Sequence, residues 1–157
     1  MTDPIASSAA VRAALKSKGV EAPVVVLPQS GRTAKDAAAA IGCSVEQIAE
    51  SLVFRRTDTD EPLLVIASGG QRVDEQRIAA HIKAEIVMAD ANFVRFSTGF
   101  AIDGVPPLGH KIAIETLVDQ SLLRFDKVWA AAGTPHTVFA IDPRRLVEIT
   151  GAHLIAV

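Results

Sequence analysis

The sequence predicts an α/β or α+β domain in which a mixed, mostly antiparallel sheet is surrounded by helices. Hydrophobic residues make up 49% of the chain but aromatics only 4%, with no tyrosine. The interior must therefore be built from Ala, Val, Ile and Leu, a palette that suits helices packed on a sheet. Helical and strand patterns follow one another in irregular order, about seven strands with five or six helices, which argues for a mixed sheet. At 157 residues the chain has the size of one ordinary domain, able to bury roughly two-thirds of its unfolded surface. One domain over residues 1–157, around one core, is expected.

Each element has a local reason. Ser7 or Ser8 caps a helix carrying Val11, Ala14 and Leu15 that stops at Gly19, and Pro23 to Leu27 reads as a short buried strand. Thr33 caps the alanine-rich run Ala34 to Ile41, which Gly42 ends. Ser44 followed by Gln47 has capping-box spacing, predicting a further helix from Val45 to Glu50. Ser51 to Arg55 and Leu63 to Ala67 form an antiparallel hairpin across the polar Thr57 to Pro62 turn. After Ser68-Gly69-Gly70, Asp74 caps a helix through Ile82, Glu85 to Met88 is a strand, and Asp90 caps a short helix to Val94. Lys111 to Ile114 and Lys127 to Ala131 are strand candidates, with a short helix over Glu115 to Asp119 between them. Thr137 to Ile141 pairs with Lys127 to Ala131 across the Gly133-Thr134-Pro135 turn. Asp142 and Pro143 open the last helix, Gly151 closes it, and His153 to Val157 is a final strand.

Composition also excludes classes. Cys43 is the single cysteine, so no internal disulfide forms, and no long apolar run or charged leader is present. A soluble, cytoplasmic protein is expected. A formal charge of −2 gives no general attraction to polyanions, which argues against an extended DNA interface but not against contact with one RNA end. His81, His110, His136 and His153 are too far apart in sequence for a local metal motif, and the common nucleotide, zincin and serine-hydrolase motifs are missing. No metal or cofactor is expected. Cys43 reads as a small buried hydrophobe, and His110 either as a proton carrier or as an ordinary surface histidine.

The stretch Thr98 to His110 has neither helix nor strand period and contains Gly99, Gly104, Gly109, Pro106 and Pro107. Its prolines fix φ and its glycines admit close approach, so it is a shaped loop. Ile102, Val105 and Leu108 pin it to a core. It is either a rigid wall that offers backbone groups to a small ligand or simply a connection between strands.

Gly31-Arg32-Thr33-Ala34 with Ala37 to Gly42, Gln47 to Phe54, Thr98 to Gly109, and Ala131 to Thr134 ahead of Leu146 to Gly151 are together similar to the YbaK/ProX aminoacyl-tRNA deacylase family. These proteins are relatives of the editing domain inserted in bacterial prolyl-tRNA synthetases. The likeness spans nearly the whole chain and implies a partly barrel-like sheet with helices around it. It also implies hydrolysis of the ester joining a wrong amino acid to the tRNA 3′ end, with a small amino acid on a proline tRNA as the expected substrate. An aminoacyl ester is already activated, so holding the carbonyl and placing water suffice.

The implied partners are the tRNA 3′ aminoacyl end and, secondarily, an aminoacyl-tRNA synthetase, with no DNA or membrane contact, in a monomer or weak homodimer. In the resembling proteins the loop matching Asp103 to Gly109 grips the acyl end, which points to Gly104 and Pro107. A lysine followed by a small polar residue binds the terminal adenosine, and here that pair is Glu50-Ser51. Thr33, Phe100, Val105, Gly109, His110, Gly133, Thr134 and His136 complete the implied substrate site. Arg32, Arg72, Arg95 and Lys111 flank the matching segments as candidate phosphate contacts.

Two departures add negative charge: Glu50 stands at the lysine position, and Asp103 replaces the first glycine of a Gly-Gly pair. Three readings of Glu50 follow. It is tolerated or serves as a base in an active deacylase; it marks a silent relative that binds an aminoacyl ester, an amino acid or a protein; or it merely ends a helix in solvent.

Overall fold

The computed structural model describes residues 8–29 and 31–157; the proposed cap at Ser7 lies outside them. Ser8 occupies the N-cap position of α1 (Ala9–Ser17) and is buried. Next come β1 (Val25–Val26), α2 (Ala34–Ile41), a 3-10 turn at Val45–Gln47, β2 (Ile48–Arg56) and β3 (Pro62–Ser68). Then follow α3 (Glu75–Ile82), β4 (Ile86–Met88), α4 (Ala91–Thr98), β5 (Glu115–Asp119) and a second 3-10 turn at Gln120–Arg124. The chain finishes with β6 (Val128–Ala131), β7 (Thr137–Ile141), α5 (Pro143–Thr150) and β8 (His153–Ile155).

The strands form one eight-stranded sheet in the order β1-β7-β6-β2-β3-β5-β8, with β4 attached to β2. The path is open at β1 and β8 and does not close into a barrel. β1–β7, β6–β7, β2–β3 and β2–β4 are antiparallel, whereas β2–β6, β3–β5 and β5–β8 are parallel. β3 lies inside the sheet, between β2 and β5. Leu64 and Ile66 join the core shared with α1, α4 and α5, while Leu63 and Val65 join that of α3 on the other face. Both faces are covered, which is why β3 reads as an unbroken apolar run. A smaller cluster of Ala34, Ala37, Ala38 and Ile48 seats α2.

The caps at Thr33, Asp74, Asp90 and Asp142 hold as the residue types predict, whereas Ser8 sits at the N-cap of α1 without a side-chain capping bond. Thr33 Oγ1 accepts from Asp36 N at 3.0 Å, Asp90 Oδ1 from Phe93 N at 2.8 Å, and Asp142 Oδ1 from Arg144 N at 2.9 Å. The hairpin is longer than its apolar cores, running in register from Ala49↔Ser68 to Arg55↔Pro62. The turn-linked pair β6–β7 also forms as expected.

Four of the expected elements do not form as read. The Val45 to Glu50 helix stops after one 3-10 turn. Ser44 N does donate to Gln47 Oε1 at 3.1 Å, but Ile48 and Ala49 are drawn into pairing with Trp129 and Ala130. Glu50 is therefore a strand residue, and the reading in which it ends a helix in solvent falls. Glu115 to Asp119 is a parallel strand beside β3 rather than a helix, because Leu117 and Val118 are buried into opposite clusters; Lys111 to Ile114 forms no strand. The Pro23 to Leu27 strand shrinks to Val25–Val26 on an outer edge. Those two valines are exposed and only Leu27 is buried. The short helix after Asp90 runs on past Val94 to Thr98.

Candidate functional site

β2 is flanked on one side by two different strands. β6 pairs only with Ile48 and Ala49, and β4 only from Phe54 to Arg56. Between them residues 50–53 face a gap. Ile48 O accepts from Gly69 N and Arg56 N donates to Glu61 O on the β3 side, whereas Val53 O accepts from Ala89 N and Thr57 N donates to Glu85 O on the other. Even-numbered residues thus turn their main chain toward β3 and odd-numbered ones toward the gap. By that alternation the N–H and C=O of Ser51 point into the gap, and among the described residues neither β4 nor β6 pairs with Ser51.

A cavity of about 190 Å³ fills this gap. Its walls include Glu50 and Ser51 of β2, Trp129 and Ala130 of β6, Ile102, Asp103 and Val105 of the long loop, and Thr134 with Pro135 after β6. Neighbouring strand residues point to opposite faces, so Glu50 shares the Ile48–Trp129 side and Ser51 the Val105 side. Ser51 Oγ is buried without a hydrogen-bond partner among the described residues. Burial removes water from the Glu50 carboxyl and pushes its pKa up, as expected where the charged form loses hydration without a cation to replace it.

The long loop is locked in place. Gly104 packs flat on the next turn: a Cβ there would lie 2.5 Å from Thr134 Cα and 2.7 Å from Thr134 N. Gly104 N donates to Ala101 O at 2.9 Å, and Pro106, Pro107 and Leu108 are buried beneath. Thr134 Oγ1 lies 2.8 Å from Thr137 Oγ1 and accepts from His136 N at 3.1 Å, which stiffens the opposing turn. Asp103 does not stand as a free negative charge: its Oδ2 is 3.3 Å from Arg32 Nε, linking the loop to the segment before α2.

His110 supports the loop from behind. Its Nε2 is 2.7 Å from Pro106 O, and burial pushes its pKa down. The neutral ring donates that bond. Because the folded pKa is depressed, the stability it confers is present above the unfolded value of about 6.5 and is lost as pH falls through the folded pKa. His110→Gln should retain a donor and flatten the acid limb of an unfolding-versus-pH curve. His110→Ala should cost about 1–3 kcal/mol by orphaning the carbonyl. Denaturant titrations at several pH values check both.

Of the residues singled out in the sequence, Glu50, Ser51, Asp103, Val105 and Thr134 line this cavity. Phe100, Gly109, Gly133 and again Thr134 border a second depression next to it. Gly104, Pro107 and His110 shape the loop from within, Thr33 caps α2, and His136 carries a backbone bond from Leu27 N. Arg32 reaches the cavity; Arg95 and Lys111 border the second depression; Arg72 lies apart, at the start of α3. Sequence reasoning missed Trp129 and Pro135 as lining residues, and Ile102, expected to pin the loop to the core as Val105 and Leu108 do, is instead 46% exposed at the cavity wall. Trp129 was findable as the only tryptophan in the chain, whereas its approach to Glu50 depends on the β2–β6 register. Cys43 packs beside α2 with its thiol pKa raised by burial, an environment for an inert side chain.

The fold is a mixed α/β domain with a small cavity at an interrupted strand edge. The family model of the aminoacyl-tRNA editing domain matches residues 28–149, and the chain belongs to that family. It is 33% identical over 121 residues to the uncharacterized protein YwhH of Bacillus subtilis strain 168, covering 77% of this chain and 76% of that protein. A crystal structure described as a candidate trans-editing enzyme for prolyl tRNA synthetase superposes with a TM-score of 0.91 at 39% identity, over 99% of this chain and 98% of the other. The crystal structure of hypothetical protein APE2540 follows at 0.87 and 28% identity, over 94% and 97%. The family and fold inferred from the sequence motifs are thereby borne out.

Proposed function

We propose that this chain is a deacylase that hydrolyses the ester between a small amino acid and the 3′ end of a tRNA, acting on tRNA already released by a synthetase. The carrying observation is the cavity at the β2 gap, bordered by the main chain and the unpartnered buried hydroxyl of Ser51 and, from the other face of the strand, by the desolvated Glu50 carboxyl. At about 190 Å³ it is smaller than the roughly 300–1,000 Å³ of sites that enclose drug-sized ligands. It suits the acyl group, with the nucleoside at the mouth. Apolar walls of Ile48, Ile102, Val105 and Ala130 filter by size, a discrimination worth about 1–3 kcal/mol per methylene.

In this reading the Glu50 carboxylate takes a proton from water as the water oxygen attacks the ester carbonyl carbon. Ser51 N–H and Oγ–H donate to the developing oxyanion. The bond to the ribose oxygen then breaks, and the proton passes to that oxygen, giving a free amino acid and a tRNA hydroxyl. A carboxyl with a raised pKa is the better base for this step. Arg32 is held by Asp103 at the mouth, where a cation faces the phosphate side of the ligand.

The test is incubation with a panel of labelled mischarged tRNAs, including alanyl- and cysteinyl-tRNA with a proline anticodon. Release above the spontaneous rate supports the reading. No release from any of them, together with a thermal shift on adding aminoacyl-adenosine analogues, would identify a silent binding module instead. Ser51→Ala should slow turnover by about 10²-fold through loss of one oxyanion donor. It should leave stability unchanged or slightly higher, because a buried hydroxyl without a partner is removed. Opposite signs on rate and melting temperature mark a residue kept for chemistry.

A further inference from the structure

Next to the acyl cavity lies a depression of about 580 Å³ that shares Thr134 and Pro135 with it as a common wall. Arg95, on the last turn of α4, and Lys111, at the end of the long loop, stand on its rim. Phe96 follows Arg95 on α4 and lies outside the lining itself, against Lys111. On α4, Val94, Ser97 and Thr98 are buried, whereas Phe96 is 74% exposed, the most exposed large apolar side chain among the described residues. Lys111 Nζ lies 5.6 Å from its ring centroid. Neither Arg95 nor Lys111 forms an ion pair with an acidic residue among the described residues.

A largely exposed aromatic ring with Lys111 over it and Arg95 beside it, neither cation ion-paired with an acidic residue among the described residues, is a local feature in a protein of net charge −2 rather than part of a general basic surface. It has the composition of a platform for single-stranded nucleic acid: a ring on which a base stacks and cations spaced around it for the backbone. Its continuity with the acyl cavity through Thr134 and Pro135 fixes the direction of the strand. We infer that the Phe96–Arg95–Lys111 strip holds the single-stranded nucleotides immediately preceding the esterified one, with one base stacked on Phe96 and phosphates at Arg95 and Lys111. The inference rests on the first cavity being the acyl site, and it adds the RNA contact that a 190 Å³ cavity cannot supply. A protein docking there would want the apolar ring but would gain little from two unpaired cations; that occupant is an outcome of the test.

Two measurements separate this inference from the deacylase reading. The first uses fluorescence anisotropy with a short labelled oligoribonucleotide ending in cytidine-cytidine-adenosine and carrying no amino acid. Phe96→Ala should weaken binding by about 5- to 100-fold, Phe96→Tyr should retain it, and Arg95→Ala with Lys111→Ala should reduce the salt slope by about 1.4. The second compares kcat/KM on mischarged tRNA and on a minimal aminoacyl-adenosine ester. Phe96→Ala should lower the former by the same factor and leave the latter unchanged.

The inference is overturned if the wild-type protein does not bind the oligonucleotide at low salt, if Phe96→Ala binds it as well as the wild type, or if both substrates suffer equally. Should neither ester be hydrolysed while the Phe96 effect on oligonucleotide binding persists, the deacylase reading fails and the RNA strip stands.

Discussion

Glu50→Gln abolishes most of the turnover, by about 10²–10⁴-fold in kcat, with little change in KM for a mischarged tRNA. The side chain keeps its size and loses only its ability to accept a proton. Wild-type kcat/KM rises with pH through the elevated Glu50 pKa and then levels off, and Glu50→Gln lacks that limb. Stability moves the other way. Burial raises the folded-state pKa of Glu50, so the folded protein favours the protonated form. The contribution of this group is most favourable below the unfolded glutamate value and is lost as pH rises through the folded one. Glu50→Gln therefore raises the melting temperature at neutral pH, and the gain vanishes in acid. Rate assays and thermal melts on the same preparations check both halves. An equally active Glu50→Gln, or a Glu50→Lys variant that gains hydrolysis over the wild type, contradicts the role of base.

Gly104→Ala is the second large effect. The added methyl would meet three main-chain atoms of Thr134, the nearest at 2.5 Å, and main chain does not give way as a flexible side chain does. The loop must lift from the turn that forms the opposite wall. Overpacking of this kind costs about 1–3 kcal/mol. The displacement also separates Val105 and Asp103 from Ser51, and misplacement by about 1 Å can cost about 10²-fold in rate. Gly104→Ala thus loses kcat/KM by at least that factor while remaining folded at moderate temperature. Urea denaturation and single-turnover hydrolysis measure the two losses. Gly42→Ala makes a useful contrast, because nothing lies within 4 Å of its Cβ position. Its cost comes from the left-handed C-cap, where φ is 87°, and it should spare the chemistry.

Most of the fold was legible because its signals are local. Thr33, Asp74, Asp90 and Asp142 cap helices with their own side chains, and the β2–β3 hairpin announces itself by two apolar runs around a polar turn. The errors fall where long-range pairing overrides local preference. Ser44 and Gln47 do begin a helical turn, yet the parallel contact of Ile48 with Trp129, 81 positions away, converts the next residues to strand. Glu115 to Asp119 reads as a short helix until β3 provides a partner on one side and β8 on the other.

The site was legible to the same degree. The Gly104 loop and the Glu50-Ser51 pair could be read from motif and residue type. The gap into which the Ser51 main chain points could not, because it exists only through the registers at which β6 ends and β4 begins. Likewise, Asp103 reads as a bare added charge in sequence and is a partner of Arg32 in space.

The most direct measurement is a crystal structure with a stable amide-linked alanyl-adenosine analogue. The account predicts the alanyl methyl between Val105 and Trp129, its carbonyl oxygen within hydrogen-bond distance of Ser51 N and Oγ, and the ribose at the mouth beside Arg32. An analogue seated elsewhere with the β2 gap left unfilled, or a carbonyl turned away from Ser51, would contradict it.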